Sequence, residues 1–518
     1  MKSPRPFLYF LSFLEGGSVM VCELVGAKML APFFGTSLYV WASVLGLTLL
    51  GLTSGYFSGG VLSKKYANDE RLLFWVLVTA GIFLALMPVT SRWIMEATIH
   101  LNLESGAIIS LMVFMFPPLV FMGMASPIII NLLTQEVDSA GNSAGNVYAI
   151  STVGGILFTF LMGFHFIPEF GVSKPAVITG ALLAVLPAAA LVRQQQKIAG
   201  ALMILLIGLG GWKISQAERY PANYKVLYES EGILGQVRVV DHPAFEITPD
   251  ARMGRGLIVN NTLQTYVGLE HDLQHSIWPS SNYFPTTASI FPVGSKVLLL
   301  GLGGGTLVKQ FNRLGYEVDV VEIDRRIWDI SVKYFNMDPA TNVIIDDARH
   351  YVRIAKKKYD IIVFDTFIGE SVPEHLMTME GFDDARRILN PGGMIMASFY
   401  GFINGENGKA ARCVLKTFLE AGFKTNILAT PGTEDARSLI FLASEEEKDF
   451  STASYQENGF EKIDNLYDYF LDISHIDTSQ VEVLVDAKPR LSKLYAKAAM
   501  QWKKSYNKYY QKYFFGKK

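Results

Sequence analysis

The chain has 518 residues, half of them hydrophobic, and its 46 Lys and Arg against 48 Asp and Glu leave a formal net charge of −2. Most of that charge falls after residue 212, which implies two solvents and at least two domains. The near-neutral balance argues against nucleic acid as the main partner, and two cysteines alone, Cys22 and Cys413, argue against a disulfide framework or a cysteine metal site, so no metal is expected.

Apolar runs of the length a helix needs to cross about 30 Å of hydrocarbon occur near 7–30, 38–62, 72–90, 107–133, 146–166, 174–192 and 198–212, which predicts seven spans. The first is too long for a cleavable signal peptide and is interrupted by Glu15, Glu23 and Lys28, so it is expected to stay on the protein. Ionisable side chains near a bilayer centre cost roughly 2.5–3.5 kcal/mol each, which makes Glu15 and Glu23 functional candidates, with a Glu23–Lys28 pair near a span end as the plain alternative. Gly46, Gly51, Gly55, Gly59 and Gly60, with Gly154, Gly155 and Gly163, read as close helix packing.

Orientation is contested within the sequence. Lys2, Arg5, Lys64, Lys65, Arg71, Arg193 and Lys197 mark the N-terminal side as cytoplasmic, and seven spans would put the rest of the chain outside. Residues 488–518, however, carry ten Lys or Arg and no acid, interleaved with Leu491, Leu494, Tyr495, Trp502, Tyr506, Tyr509 and Tyr513. A basic aromatic helix of this kind suits the anionic cytoplasmic leaflet, although it would equally pack its aromatic stripe on its own domain. A cytoplasmic soluble part on the inner (plasma) membrane, in contact with membrane lipid, is the expectation.

After a transition at 213–223 that Pro221 and Asn223 close, residues 224–290 read as a small β module: YKVLYES, GQVRVVD and GRGLIVN, then the turn Asn260-Asn261 before TLQTYVG. From 291 to 455 strands and helices alternate, which predicts a mostly parallel, helix-covered Rossmann-like sheet, and 456–518 is a helical, basic extension. The fold class is thus a multi-span α-helical membrane domain over 1–214, the β module, and an α/β domain.

KVLLLG at 296–301 is a buried strand, and Gly303, Gly304 and Gly305 open a helix to about Leu314, where a ligand can approach the backbone. EVDVVEI ends at Glu322, placed for a carboxylate to accept both ribose hydroxyls. Asp346 and Asp347 follow the third strand and Asp365 the fourth, YDIIVFD; GGMIMASF supplies a further strand, with helices near 325–335, 348–356, 378–389 and 407–421. Any one acid, Asp346 or Asp383 for example, suits a surface position or a cap, but together they fall where ligands of this architecture bind. No Lys-Ser/Thr follows the glycines, which excludes a P-loop, and no basic residue in the loop matches a pyrophosphate.

Residues 224–445 resemble the spermidine synthase (polyamine aminopropyltransferase) family, and the whole chain resembles bacterial proteins in which a multi-span membrane domain precedes such a domain. GNVYAISTVGGILFTFLMGFHFIPEFG is similar to a recurring segment of those fusions. The resemblance implies that Gln264, in VNNTLQ, is the family's glutamine and that Gly301, Gly303 and Gly304 form the nucleoside loop. It makes Glu322 the ribose carboxylate, Asp347 the acid that reads the adenine amino group, and Asp365 the acid beside the transferred aminopropyl group. It also implies a homodimer. The acceptor half departs from the pattern: Ile368 stands where the family has its second aspartate, Gln274-His275-Ser276 where it has Tyr-His-Glu, and only Glu270 remains of an upstream Asp-Glu pair.

Displacement at the carbon beside a sulfonium releases a neutral thioether, so a protein must mainly orient the nucleophile and supply a base. A diamine acceptor without carboxylates would be costly to bury, and Glu370, Glu374 and His375 are the nearby substitutes. The expectation is an enzyme acting on S-adenosylmethionine or its decarboxylated form and releasing methylthioadenosine. The step is either aminopropyl transfer to an amine or an intramolecular lyase or cyclisation that needs no acceptor; Asp365, Glu370 and His275 are the candidate catalytic residues. A methyltransferase sharing Glu322 and Asp347, a nucleoside-sensing transporter or regulator, and a degenerate pseudoenzyme are the alternatives.

Overall fold

The computed structural model describes residues 4–34, 38–67, 69–98, 101, 103–134, 140–196, 224–232, 234–243, 253–269, 275–366, 374–457, 462–495, 498–499 and 501. The chain divides into two compact units, Met1–Arg219 with Ser230–Gln236, and Tyr220–Glu229 with Val237–Lys518.

Apart from the strand residues within Ser230–Gln236, the described part of the first unit is helical: α1 (Arg5–Phe34), α2 (Leu38–Lys65), α3 (Glu70–Thr98), α4 (Leu103–Phe114), α5 (Phe116–Leu133), α6 (Ala140–Leu161), α7 (Ile167–Phe170) and α8 (Ser173–Arg193). Six helices among the described residues are long and apolar enough to cross a membrane, and 198–212, expected as a seventh, lies outside the described residues. The run expected as one span over 107–133 is two helices, because Pro117 and Pro118 lack the N–H groups that would continue the ladder through Met115. α6 loosens into a π-helical turn over Met162–Phe166 before α7.

Small residues let these helices approach. A Cβ on Gly16 would overlap the backbone carbonyl of Ser151, one on Gly154 that of Phe13, and one on Gly55 that of Val120. Gly51, Gly59 and Gly155 are also tightly packed, as the sequence predicts, whereas Gly46, Gly60 and Gly163 face open space and carry no helix contact.

The second unit contains two sheets, except that the end of the first strand and the start of the second, within Ser230–Gln236, count with the first unit. The four-stranded one runs β1 (Lys225–Gly232), β2 (Gly235–Pro243), β3 (Met253–Val259) and β4 (Thr262–Gly268) in sequence order. Asn260 and Asn261, both at positive φ (50° and 61°), make the tight β3–β4 turn, as their identity predicts. Ile258 pairs with Leu263 while Leu257 pairs with Thr265, so Gln264 sits at a bulge.

The seven-stranded sheet has the order β10-β11-β9-β8-β5-β6-β7. β5 (Lys296–Leu300), β6 (Glu317–Glu322), β7 (Asn342–Ile345), β8 (Tyr359–Phe364) and β9 (Leu389–Tyr400) are parallel, and β10 (Lys424–Ala429) and β11 (Ser438–Ser444) pair antiparallel at one edge. The helices are α9 (Tyr283–Ala288), α10 (Thr306–Arg313), α11 (Arg325–Phe335), α12 (Ala348–Ile354), α13 (Met379–Arg387) and α14 (Lys409–Glu420). Alternation along β8 sends Ile362 and Phe364 into one core and Ile361 and Val363 into the other, so both faces are buried. The chain leaves β5 toward β6 on one side and returns through β8 on the other, which opens a crevice at the carboxyl ends of β5 and β8.

The aromatic stripe of the C-terminal stretch belongs to this unit as far as it is described. Leu491, Tyr495, Ala498 and Ala499 are buried in its core, and Tyr495 stacks on Tyr400 at 5.5 Å. This overturns the membrane-surface reading for Leu491–Tyr495, since a ring sealed against β9 is not free to meet lipid; 496, 497, 500 and 502–518 lie outside the described residues.

Candidate active site

The crevice is built from four strand ends. β5 ends at Leu300 and runs into a loop in which Gly301, Gly303 and Gly305 all hold positive φ (94°, 55° and 79°), a conformation that glycine adopts without strain. A Cβ on Gly301 would overlap the carbonyl of Asp365, so β5 and β8 close on each other there. The Asp365 N–H donates to the Leu300 carbonyl at 3.0 Å and completes that seam.

Gly304 has a second reason to be glycine. Its N–H donates to Thr265 Oγ1 at 2.8 Å, and a Cβ there would stand 2.7 Å from Thr265 Cγ2 and 3.0 Å from the Phe335 ring. Thr265 therefore anchors the loop from β4, next to Gln264, which the same strand carries to this end of the sheet. The sequence gives no local sign of Thr265's role, because the contact spans 39 positions.

Glu322 is 8% exposed and locked in place: Oε2 accepts from the Leu302 N–H at 3.0 Å and Oε1 from the Asp324 N–H at 2.9 Å. Burial pushes its carboxyl up to about 7 against the pull of those backbone donors. Asp365 is pushed up to about 6 by burial, with a Ser398 hydrogen bond opposing. Among the described residues neither carboxylate forms an ion pair, so the charges they would carry are left for a ligand to meet.

Two hydroxyls are similarly free. Thr306 Oγ1, at the first residue of α10, and Thr366 Oγ1, beside Asp365, are buried with no hydrogen-bond partner among the described residues. Gly305 offers no side-chain cap to α10, so the N–H groups at its start face the crevice without a protein acceptor from that position.

Asp346 and Asp347 follow β7. Asp346 Oδ1 accepts from the Asp347 N–H at 2.8 Å, and its Oδ2 lies 2.7 Å from His350 Nδ1, so it is bound within its own turn. Asp347 caps α12 through the His350 N–H at 3.0 Å and keeps Oδ2 3.6 Å from His375 Nε2, with its side chain half-exposed. His375 reaches this place from the short turn Glu374–Leu376, while Glu374 accepts from the Ser492 N–H at 3.1 Å.

His275 is anchored beside α10. Its Nδ1 lies 2.9 Å from Oε1 of Glu457, a fully buried carboxylate that also accepts from Arg313 at 2.8 Å and from Gln310. Gln310 and Arg313 belong to α10, so the anchor braces the helix behind the glycine loop. Glu370, Ile368, Gln274 and Glu270 lie outside the described residues.

Residues 287–413 match the spermine/spermidine synthase domain. Over 131 residues the chain is 37% identical to a polyamine aminopropyltransferase of Vibrio vulnificus, a stretch that is 23% of this chain and 44% of that protein. The chain thus spans less than half the length of that relative. It is 23% identical over 437 residues to polyamine aminopropyltransferase 2 of Aquifex aeolicus, covering 79% of this chain and 82% of that one. Among solved structures it is similar to a probable spermidine synthase from Corynebacterium glutamicum, with TM-score 0.39, 17% identity, and coverage of 52% of this chain and 97% of that chain.

Proposed function

We propose that the spermine/spermidine synthase domain this chain carries at 287–413 is catalytic, acting on S-adenosylmethionine or its decarboxylated form with release of methylthioadenosine. One observation carries the reading: Glu322, buried at the end of β6, and Asp365, partly buried just after β8 on the other side of β5, lack any cationic partner among the described residues. A ligand with ribose hydroxyls at Glu322 and a sulfonium or ammonium near Asp365 would supply what both lack.

The step is a displacement. A nucleophile's lone pair forms a bond to the propyl carbon, the carbon–sulfur bond breaks, and its electron pair returns to sulfur, leaving a neutral thioether. When the nucleophile is an amine, the new ammonium gives its excess proton to a base, and Asp365 is poised for that with a carboxyl at about 6. Glu322, held by Leu302 and Asp324, orients the ribose, and Asp347 and Gln264 complete the nucleoside half. Glu370 and His275 are the further candidate acid–base groups, His275 from its anchor on Glu457. In the intramolecular branch the substrate's own amine or carboxylate takes the nucleophile's place and no acceptor enters.

The six described spans support an integral membrane protein, and Lys64, Lys65, Arg71 and Arg193 lie at one common end of them, the end expected in the cytoplasm. An even number of spans puts the soluble domain on that side, whereas a further crossing at 198–212 reverses it. A homodimer is part of the same proposal.

The test is incubation of the purified full chain with each sulfonium substrate, with and without putrescine, while methylthioadenosine is followed by mass spectrometry. Release strictly dependent on putrescine selects amine transfer; release without it selects the intramolecular branch. S-adenosylhomocysteine as the product, or no release from either substrate, overturns the reading.

A further inference from the structure

The membrane unit holds a polar site that its packing does not require. Glu15 of α1 is 2% exposed, and its Oε2 accepts from Ser126 of α5 at 3.4 Å and Ser151 of α6 at 3.2 Å. Oε1 has no hydrogen bond, and the carboxylate no ion pair, among the described residues.

Depth sharpens the point. Glu15 is ten residues from the start of α1, Ser126 seven from the end of α5 and Ser151 eleven from the start of α6. At 1.5 Å per residue these stand roughly 10–16 Å from those helix ends, in the interior of a hydrocarbon layer about 30 Å thick. Three helices thus bring their polar groups to the one depth where an unneutralised carboxylate is most costly. Pro127, directly after Ser126, also leaves the Gly123 carbonyl without its helical donor.

The donor count selects the occupant. A primary ammonium has three N–H groups and no acceptor. Oε1 and the two serine oxygens offer three acceptors, because each hydroxyl can donate to Oε2 and still accept. Tyr56 of α2 lies within electrostatic reach of Glu15 and of Tyr148 of α6, and these half-exposed rings (40% and 48%) give an alkylammonium aromatic faces on its way in. Glu23, hydrogen-bonded to Thr48, follows eight residues along α1, about 12 Å on, beyond the span of a four-carbon diamine held at Glu15.

We propose that Glu15, Ser126 and Ser151 bind the ammonium group of an aliphatic amine at mid-membrane, and that the membrane unit carries such amines across the bilayer. The choice of an amine over other cations rests in part on the reading of the soluble domain, whose substrate or product it would be.

The experiment uses the full chain in proteoliposomes with radiolabelled putrescine outside, and a pH-sensitive dye and sodium trapped in separate preparations. Expected are uptake above empty vesicles, a loss of at least ten-fold in Glu15→Gln, retention in Glu15→Asp, and a smaller loss in the paired change Ser126→Ala with Ser151→Ala. If Glu15→Gln does not reconstitute, the serine pair decides alone. Unchanged uptake in Glu15→Gln, uptake no greater than in empty vesicles, or proton or sodium flux without amine flux overturns the proposal. Methylthioadenosine release is measured on the same samples and is expected unchanged by Glu15→Gln. Flux without release keeps this site and removes the enzymatic reading; release without flux does the reverse.

Discussion

The backbone N–H of Leu302 donates to Oε2 of Glu322 at 3.0 Å, so the loop after β5 and the acid after β6 hold each other before any ligand arrives. The carboxylate is therefore both a ligand group and a strut. Glu322→Gln keeps the shape but replaces an ionisable acceptor with an amide whose nitrogen cannot accept. A hydrogen bond to a charged group contributes about 1.5–3 kcal/mol, so affinity for methylthioadenosine should fall roughly ten- to hundred-fold. Calorimetry measures it, and an unchanged affinity would remove Glu322 from the nucleoside site.

Asp365 should decide turnover rather than binding. Its carboxyl lies at about 6, and only the ionised form can take a proton. In the amine-transfer branch kcat/KM, which reports the free enzyme, should fall as pH drops through about 6, and Asp365→Asn should lower kcat by roughly 10²–10⁴-fold. A steady-state pH profile of both proteins tests this. A wild-type kcat/KM that stays flat below pH 6 excludes Asp365 as the base.

The same two acids set a stability trend. Their folded values, about 6 for Asp365 and about 7 for Glu322, lie above the ordinary 3.8 and 4.5, so the folded chain binds more protons than the unfolded one in between. Stability from this source is fully present below the ordinary values and is lost as pH rises through the folded ones. The second unit should accordingly melt lower at pH 8 than at pH 5.5 to the extent that these groups dominate, and Glu322→Gln should shrink the difference. A sulfonium ligand favours the charged carboxylates, so its binding near pH 6.5 should release protons. Heats that do not vary with the ionisation enthalpy of the buffer would contradict that.

Much of this was legible in the sequence because parallel strands advertise themselves. β5 (KVLLL) and the IIVF stretch of β8 are continuous apolar runs, β6 keeps Val318, Val320 and Val321 between its acids, and Glu322 and Asp365 stand at the ends of β6 and β8 where the crevice opens. The Asn260-Asn261 turn is read from two residues that tolerate positive φ. Contacts between distant segments were not legible. Thr265 meets Gly304 only because β4 is carried to the glycine loop, and His275 meets Glu457 across 182 positions. The kink that divides α4 from α5 was written in Pro117 and Pro118, but the continuous apolar run masked it. The stripe around Tyr495 has the pattern of a lipid-facing helix, and only its stacking on Tyr400 shows otherwise.

Two glycines at similar φ should behave differently when given a side chain. Gly301 (φ 94°) has the Asp365 carbonyl where a Cβ would go, whereas Gly422 (φ 84°) has nothing within 4 Å. Both alanine variants carry the cost of a non-glycine residue at positive φ, of order 1–3 kcal/mol. Only Gly301→Ala must also part β5 from β8, which moves Asp365 away from the nucleoside loop. Gly422→Ala should lower the melting temperature by a few degrees and leave kcat alone, with about 1 kcal/mol corresponding to roughly 2–4 °C in a domain of this size. Gly301→Ala should melt lower still and lose activity even at temperatures where it stays folded. Thermal melts paired with methylthioadenosine release separate the two effects, and equal activity in both variants would mean that the β5–β8 seam does not position the reacting groups.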